Sequence, residues 1–446
     1  MFLPRGFFVR RPPTARHGQP DRQGSRRLRV FLSAGEPSGD HHAAALLEAI
    51  RRVRPDAAFV GLGGPQLAAA GCSLVADLTS LAVMWFLRVI LNIHRFVDLA
   101  RRAERSFLDD RPDVLVMVDF PGFHWWLAWR ARRHGIPVVF YCPPQIWAWA
   151  SWRSRKMRRL VDRVLAALPF EQDWFASRGI DSTLVGHPFF DDVIARHDHE
   201  LQASKATPAD PSRDDAAVVL ILPGSRSQEI EANLGTLVEA AGKVVGQCPQ
   251  ARPVIGALHA RHALRIRQEL DRRGLSIPIE VGKTRELIGC ATAALAVSGS
   301  VSLELLAARV PTVIVYRVSG FAYVVQSWLR HARFFTLVNL LAVDDPIGRP
   351  QGQWLPPRAV EPADSDAVYP EYLCVQNPAE QLAGHVIEWL QHEPTRQAVV
   401  KRLDEVAATV SHGGSAERAA AAVVEIAETP ATLPHPQLQA DSICAA

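Results

Sequence analysis

The sequence contains no closely spaced pair of cysteines: Cys72, Cys142, Cys248, Cys290, Cys374 and Cys444 are scattered over 446 residues. That spacing suits a reducing cytoplasm better than a disulfide framework or a zinc site. No run of about 20 apolar residues occurs, so no segment can span a bilayer as a helix. The formal charge of +4, on a chain with 22% charged residues, is too small to argue for nucleic acid as partner. Residues 1–28 lack the apolar core of a secretory signal. With eight arginines against one acid, Asp21, before Val30, they read as a disordered basic arm.

A chain of this length exceeds what one hydrophobic core organises, so two domains are expected. The polar, proline-bearing stretch 198–217 reads as their linker. It separates an N-terminal domain at 29–197 from a C-terminal domain at 218–410. A Gly turn and an Ala-rich helix follow at 411–428, with the helix able to pack back on the first domain. A Pro-rich loose tail occupies 429–446.

In the first half, Arg29–Ala34 reads as a strand, and the turn GEPSGD (35–40) precedes a helical pattern over Ala43–Val53. Ser38 or Asp40 can cap that helix, and Glu36 stands at the strand's carboxyl end, where open α/β sheets place ligands. A second glycine turn lies in GLGGPQLAAAGC (61–72). The most apolar window, 81–96, is broken by Arg88. It reads as core packing or, through Trp85, Phe86 and Leu87 beside Arg88, as a helix lying in a bilayer interface. Asp113–Val118 is a parallel-strand run ending at Asp119 in VDFPGFHWW (118–126). A carboxylate there can serve as general base or merely cap the next helix. The stretch CPPQIWAWASWRSRK (142–156) joins three tryptophans to a basic run, fit for contacts with nucleic acid, sugar or lipid headgroups, or for a rigid loop packed on the core.

In the second half, Val218–Leu222 reads as a strand opening into PGSRSQEI (223–230). Gly224 and Ser225 make a close turn, and the guanidinium of Arg226 can grip a phosphate. Residues 293–317 read as strand, turn, helix and strand. The small residues Ser298, Gly299 and Ser300 let backbone approach a bound group, and Glu304, one turn into the helix, can accept from sugar hydroxyls. An ordinary crossover would look much the same. Residues 321–342 read as a helix followed by an apolar segment holding Asn339, and the Pro-rich 343–370 as a loop insertion.

Strands alternate with helices in both halves, which predicts an α/β protein with two Rossmann-like domains and parallel sheets facing a central cleft, the GT-B layout. A donor nucleotide would then sit on Arg226, Ser298–Ser300 and Glu304, with Asp119 facing the acceptor. No paired DxD-type motif is present, in keeping with transfer that uses no metal, Arg226 and helix N-termini stabilising the leaving diphosphate.

The blocks AGEPSGD (34–40), GLGGPQLAAAGC (61–72), VDFPGF (118–123), PPQIWAWASWRSRK (143–156), LPFE (168–171), VGHP (185–188), LPGSRSQEI (222–230), SGSVSLE (298–304), VNLLA (338–342) and GGSAERAAAAVVE (413–425) together resemble the lipid-A-disaccharide synthase family, a series that runs in order from Val30 to Glu428. The resemblance implies condensation of UDP-2,3-diacylglucosamine with 2,3-diacylglucosamine 1-phosphate, giving a β-1,6 disaccharide and UDP. It implies no cofactor, and a peripheral place on the cytoplasmic face of the inner membrane. By position, Asp119 matches the catalytic base, Arg226 the nucleotide-site arginine, Glu304 the ribose-side acid and Asn339 the asparagine of the NLLA block. Glu36 and Ser38 match the first glycine turn.

Three departures lie in the acceptor half: His41 and His42 replace small residues, Gly122 and His124 replace an acid and an amide, and Trp85 replaces a glycine. They leave open a paralogue with an altered acceptor, or one that binds a UDP-sugar or lipid without catalysis. A UDP-sugar epimerase on the same fold is a further alternative.

Overall fold

A computed structural model describes residues 27–82, 93–193, 217–348, 363–410 and 412–429. The candidate interfacial residues Trp85, Phe86, Leu87 and Arg88 lie outside these, as do nearly all of the 198–217 linker and the tail from 430.

Two parallel sheets form. The first contains β1 (Arg29–Ala34), β2 (Ala58–Gly63), β3 (Ser73–Asp77), β4 (Val114–Val118), β5 (Val138–Tyr141), β6 (Arg163–Ala166) and β7 (Ser182–Leu184), in the order β3-β2-β1-β4-β5-β6-β7. The second contains β8 (Val218–Leu222), β9 (Arg252–Ala257), β10 (Ile279–Val281), β11 (Ala293–Val297), β12 (Thr312–Arg317) and β13 (Glu371–Cys374), in the order β10-β9-β8-β11-β12-β13. The central strands are apolar throughout because helices cover both faces. Along β4, Leu115 and Met117 enter one core cluster while Val114, Val116 and Val118 enter the other. Along β11, Ala293, Leu295 and Val297 face one cluster and Ala294 and Ala296 the opposite one. This period of two fixes the register, since a one-residue slip would exchange the faces of every side chain.

Each sheet reverses its winding once, between β1 and β4 and between β8 and β11. Helices leave in opposite directions at such a point and open a crevice beyond the strands' carboxyl ends. All four candidate turns stand there. Ala34 pairs with Val118, so Glu36 and Asp119 follow neighbouring strand ends, and Ala296 pairs with Leu222, so the 223–226 and 298–300 turns are neighbours as well.

The two halves are interlocked. Helix Ser415–Glu428 packs in the first sheet's core beside helix Pro37–Val53. Its first amides, from Ser415 and Ala416, donate to the Asp191 carboxylate at 3.0 Å, and Ser415 Oγ donates to Gly186 O at 2.8 Å. Conversely, Phe190 enters the second sheet's core, while Ala332, Phe334, Leu340 and Ala367 enter the first sheet's.

Several expectations need correction. Leu28, read as part of the disordered arm, is buried in the core, and its carbonyl accepts from Ala58 N. The first helix begins at Pro37 rather than Ala43, with Pro at its first turn, so Ser38 lies inside that turn and caps nothing. Asp40 holds the second glycine turn instead, accepting from Gly64 N at 2.6 Å and Gln66 N at 3.0 Å. The described flanks of the 343–370 segment have no helix or strand, but Val368 and Tyr369 are buried, and Arg333 ties the segment down through Asp364 and Asp366.

Candidate active site

Glu36 lies within electrostatic reach of Asp119 in its own half and of Arg226 across the crevice. Burial raises the Glu36 carboxyl above its ordinary value, the Asp119 charge raises it further, and the Arg226 cation opposes both. Burial also raises Asp119. Glu36 thus feels both the acid of its own half and the cation of the facing half, whereas burial alone raises Asp119.

Asp119 is held in a costly conformation. Both Asp119 (φ 55°) and Phe120 (φ 49°) are left-handed, a state that costs a non-glycine residue about 1–2 kcal/mol. The surroundings enforce it. His124, wholly buried on the following helix Pro121–Arg133, places Nδ1 2.6 Å from Asp119 O and Nε2 2.9 Å from Ser33 Oγ on β1. A carbonyl can only accept, so Nδ1 carries the proton, and Nε2 accepts from the serine hydroxyl. Burial lowers the His124 pKa to about 4 and keeps the ring neutral, as this bridge requires. The Asp119 carboxylate also accepts from Phe120 N at 2.8 Å. Phe120 crowds Gly35, where a Cβ would stand 2.2 Å from its ring, so only glycine fits between the first turn and the base.

The Arg226 turn is organised differently. Gly224 adopts φ 117°, and a Cβ there would lie 2.6 Å from Glu229 Cβ. Glu229 folds back to accept from Ser225 N at 3.0 Å and Arg226 N at 3.2 Å, and contacts the guanidinium at 3.2 Å. The expected backbone cradle for phosphate is thus occupied by the chain's own carboxylate. The Arg226 side chain, 77% exposed, remains to meet an anion.

In the 298–300 turn, Ser298 Oγ donates to Phe335 O, Ser300 makes no capping bond, and a Cβ on Gly299 would meet nothing within 4 Å. The backbone there is open to solvent. Glu304 pairs with exposed Arg285 at 3.5 Å.

Asn339 is not placed to touch a substrate. Wholly buried, it donates to Tyr369 O and Glu371 and accepts from the amides of Val368 and Tyr369. Glu371, raised by burial to about 7, also accepts from Phe335 N and Thr336 N, so the pair builds the wall behind the Ser298 turn.

Of the substituted positions, Gly122 has open space around it and positive φ is not required there. His41 bridges Gln66 Oε1 at 2.7 Å and the Asp192 carboxylate at 3.0 Å, which binds the first turn to the end of the half. Beside it, burial lowers His42 and His187 to about 4 each. Among the described residues no group of three His, Cys, Asp or Glu is arranged to hold a metal.

Ser33, Glu229 and Arg285 escaped sequence reasoning. Only Glu229 carried a signal, its place three residues after Arg226, the spacing at which an acid folds back on a helix start.

The lipid-A-disaccharide synthetase family profile matches residues 30–348. A lipid-A-disaccharide synthase of Myxococcus xanthus is 33% identical over 404 residues, covering 89% of this chain and 97% of the relative. The chain belongs to the lipid-A-disaccharide synthetase family. Another synthase of the family, from Anaeromyxobacter, is 32% identical over 398 residues, covering 89% of this chain and 97% of its own length. Solved structures agree on the fold. A UDP-GlcNAc 2-epimerase from Neisseria meningitidis, bound to UDP-GlcNAc, superposes with TM-score 0.54 at 11% identity, covering 90% of this chain and 99% of that one. The glycotransferase of kitacinnamycin gives 0.52 at 16% identity, covering 90% and 100%. The GT-B architecture and membership of a glycosyltransferase family are therefore shown together.

Proposed function

We propose that this family member joins two acylated glucosamines on a membrane surface, transferring 2,3-diacylglucosamine from its UDP conjugate to 2,3-diacylglucosamine 1-phosphate with inversion. The observation that carries the reading is that Asp119, Glu36 and Arg226 all follow strand ends at the two switch points, with Glu36 in electrostatic reach of both others. Asp119 takes the proton of the acceptor's 6-hydroxyl as its oxygen bonds to the donor's anomeric carbon. The bond from that carbon to the diphosphate breaks on the opposite face, and its electron pair leaves with UDP, giving the β-1,6 linkage. Arg226 meets the charge growing on the departing diphosphate, where a fixed cation lowers the barrier most. The space beside Gly299 takes the nucleotide, Glu304 its ribose hydroxyls, and Glu36 the acceptor sugar.

A base whose pKa is raised by burial is better matched to an alcohol than an ordinary aspartate. Ser33 and His124 keep its carbonyl anchored, so the carboxylate stays aimed at the crevice while substrates enter. Both substrates would carry acyl chains, so the reading includes a peripheral place on a membrane, here the cytoplasmic face of the inner membrane. Among the described residues no helix is long and apolar enough to cross it.

Mass spectrometry of lipid products after incubation with both acylated glucosamines tests the reading. The disaccharide should form in step with UDP, and chelating divalent ions should leave the rate unchanged. An isomerised or hydrolysed donor formed without acceptor would assign the fold to epimerase chemistry instead.

A further inference from the structure

The WAW loop, read from sequence as a contact element without a settled partner, does not reach the crevice chemistry. Trp147 is wholly buried and donates to Glu171 at 2.9 Å, which anchors the loop. Its neighbours turn outward: Trp152 is 57% exposed, Trp149 packs edge-on to it at 6.5 Å, and Arg153 lies over the Trp149 ring at 4.9 Å.

The second half presents a matching feature. Helix Gly320–Leu329 buries Tyr323 on one side and exposes Phe321 (82%), Val324 and Trp328 (83%) on the other. Spacings of three and four residues put these three on one helical face. The two features meet, because His331 N, just past the helix, donates to Ala148 O in the WAW loop at 2.7 Å. Both follow strand ends next to the switch points, the loop after β5 beside β4 and the helix after β12 beside β11. The aromatic strip therefore lies at the mouth of the crevice, with contributions from both halves.

Its charge is of one sign. Neither 142–161 nor 318–343 contains an Asp or Glu. Arg155 and Arg159 are exposed, and neither they nor Arg153 form an ion pair among the described residues, while Arg330 acts on the buried Glu371 carboxyl. Arg333 is held by Asp364 and Asp366. Exposed Trp and Phe rimmed by unpaired arginine match an anionic bilayer surface: aromatic rings settle at headgroup depth and each arginine adds attraction.

We infer that Phe321, Val324 and Trp328, together with Trp149, Trp152 and the arginines of 153–159, form a docking face for anionic lipid that sets the mouth of the crevice on the bilayer. The purpose given to this face rests on the reading of acylated substrates, but partition is measured without turnover, so the two ideas fail separately.

The full chain is sedimented with phosphatidylglycerol vesicles and with phosphatidylcholine vesicles, alongside F321S/W328S, R155E/R159E and L264S. Leu264, also exposed, lies on a helix of the second half outside the strip and serves as control. The parent should prefer phosphatidylglycerol and lose affinity in high salt. F321S/W328S and R155E/R159E should each bind about tenfold more weakly, with thermal midpoints unchanged, and L264S should bind as the parent does. Failure of the parent to bind, parent-like binding by F321S/W328S, or an equal loss in L264S overturns the proposal. So does conversion of an oligomer to monomer by F321S/W328S with vesicle binding intact, which would give the face to a second copy.

Discussion

At the end of β4 the chain is forced into two consecutive left-handed residues and locked by a buried imidazole, whereas at the end of β8 a glycine makes the turn freely and an exposed arginine leans on its own helix. The first arrangement fixes a carboxylate whose pKa burial raises. The second leaves a cation exposed and held only by its own helix. Position matters for proton transfer over fractions of an ångström, while the attraction between an arginine and a diphosphate tolerates adjustment. On the proposed reaction, the halves would thus divide the task into rigid chemistry on one side and reversible anion capture on the other.

Breaking the rigid side should cost most. Asp119→Asn removes the base without changing shape, and kcat should fall by about 10³ with KM nearly constant in a UDP-release assay. Retention of full turnover would remove Asp119 from the mechanism. Arg226→Ala should lower kcat/KM by about 10² to 10³, and Arg226→Lys should recover only part, because an ammonium lacks the planar fork.

The lock itself is tested by His124→Ala against His124→Asn. Alanine leaves Asp119 O and Ser33 Oγ without their partner, so stability should drop by about 1–3 kcal/mol and kcat by about tenfold. Asparagine can donate to the same carbonyl and should stay within a few fold in kcat. If alanine and asparagine behave alike in kcat, the imidazole bridge plays no part in aiming the base.

Acid sharpens the comparison. His124, with its folded pKa at about 4 against an ordinary 6.5, binds fewer protons folded than unfolded between those values, so stability present at pH 7 is lost as pH falls through that window. His42 and His187 act in the same direction. Glu171 and Glu371, raised to about 7, act oppositely: the fold binds their protons more tightly, and that stabilisation is lost as pH rises from 4.5 toward 7. His124→Asn should therefore lose about 2 kcal/mol less than the parent between pH 7 and 5, read from urea midpoints. The smallest effect belongs to Ser38→Ala. Its exposed side chain caps nothing, so both stability and kcat should stay near the parent's, whereas Asp40→Asn should cost about 1–3 kcal/mol by disturbing the Gly64 and Gln66 amides.

The central strands were readable in the sequence because continuous apolar runs such as VLVMV and AALAV admit few other structures. Two strands were not. SLVAD (β3) and EYLC (β13) lie at sheet edges, where one side lacks a neighbour and hydrophobic demand relaxes. Asp119 and Arg226 stood out because each follows a legible strand. The Ser33–His124 bridge did not, since it joins residues 91 positions apart that become neighbours only when β4 pairs with β1. Asn339 illustrates the opposite limit: a polar residue in a distinctive block need not face the crevice, and here its amide is consumed in holding the chain between Val368 and Glu371.

The chain crosses between its two sheets twice, near Phe190 and again before Ser415, and the crossings are fastened to each other where Asp191 holds the first amides of the last helix and Ser415 reaches back to Gly186. Two cords tied side by side behave as a hinge rather than a swivel: they let one leaf swing but resist its spinning. On the proposed reaction, any opening of the crevice would then follow one direction of travel, and closure would bring Arg226 back to the same place relative to Glu36.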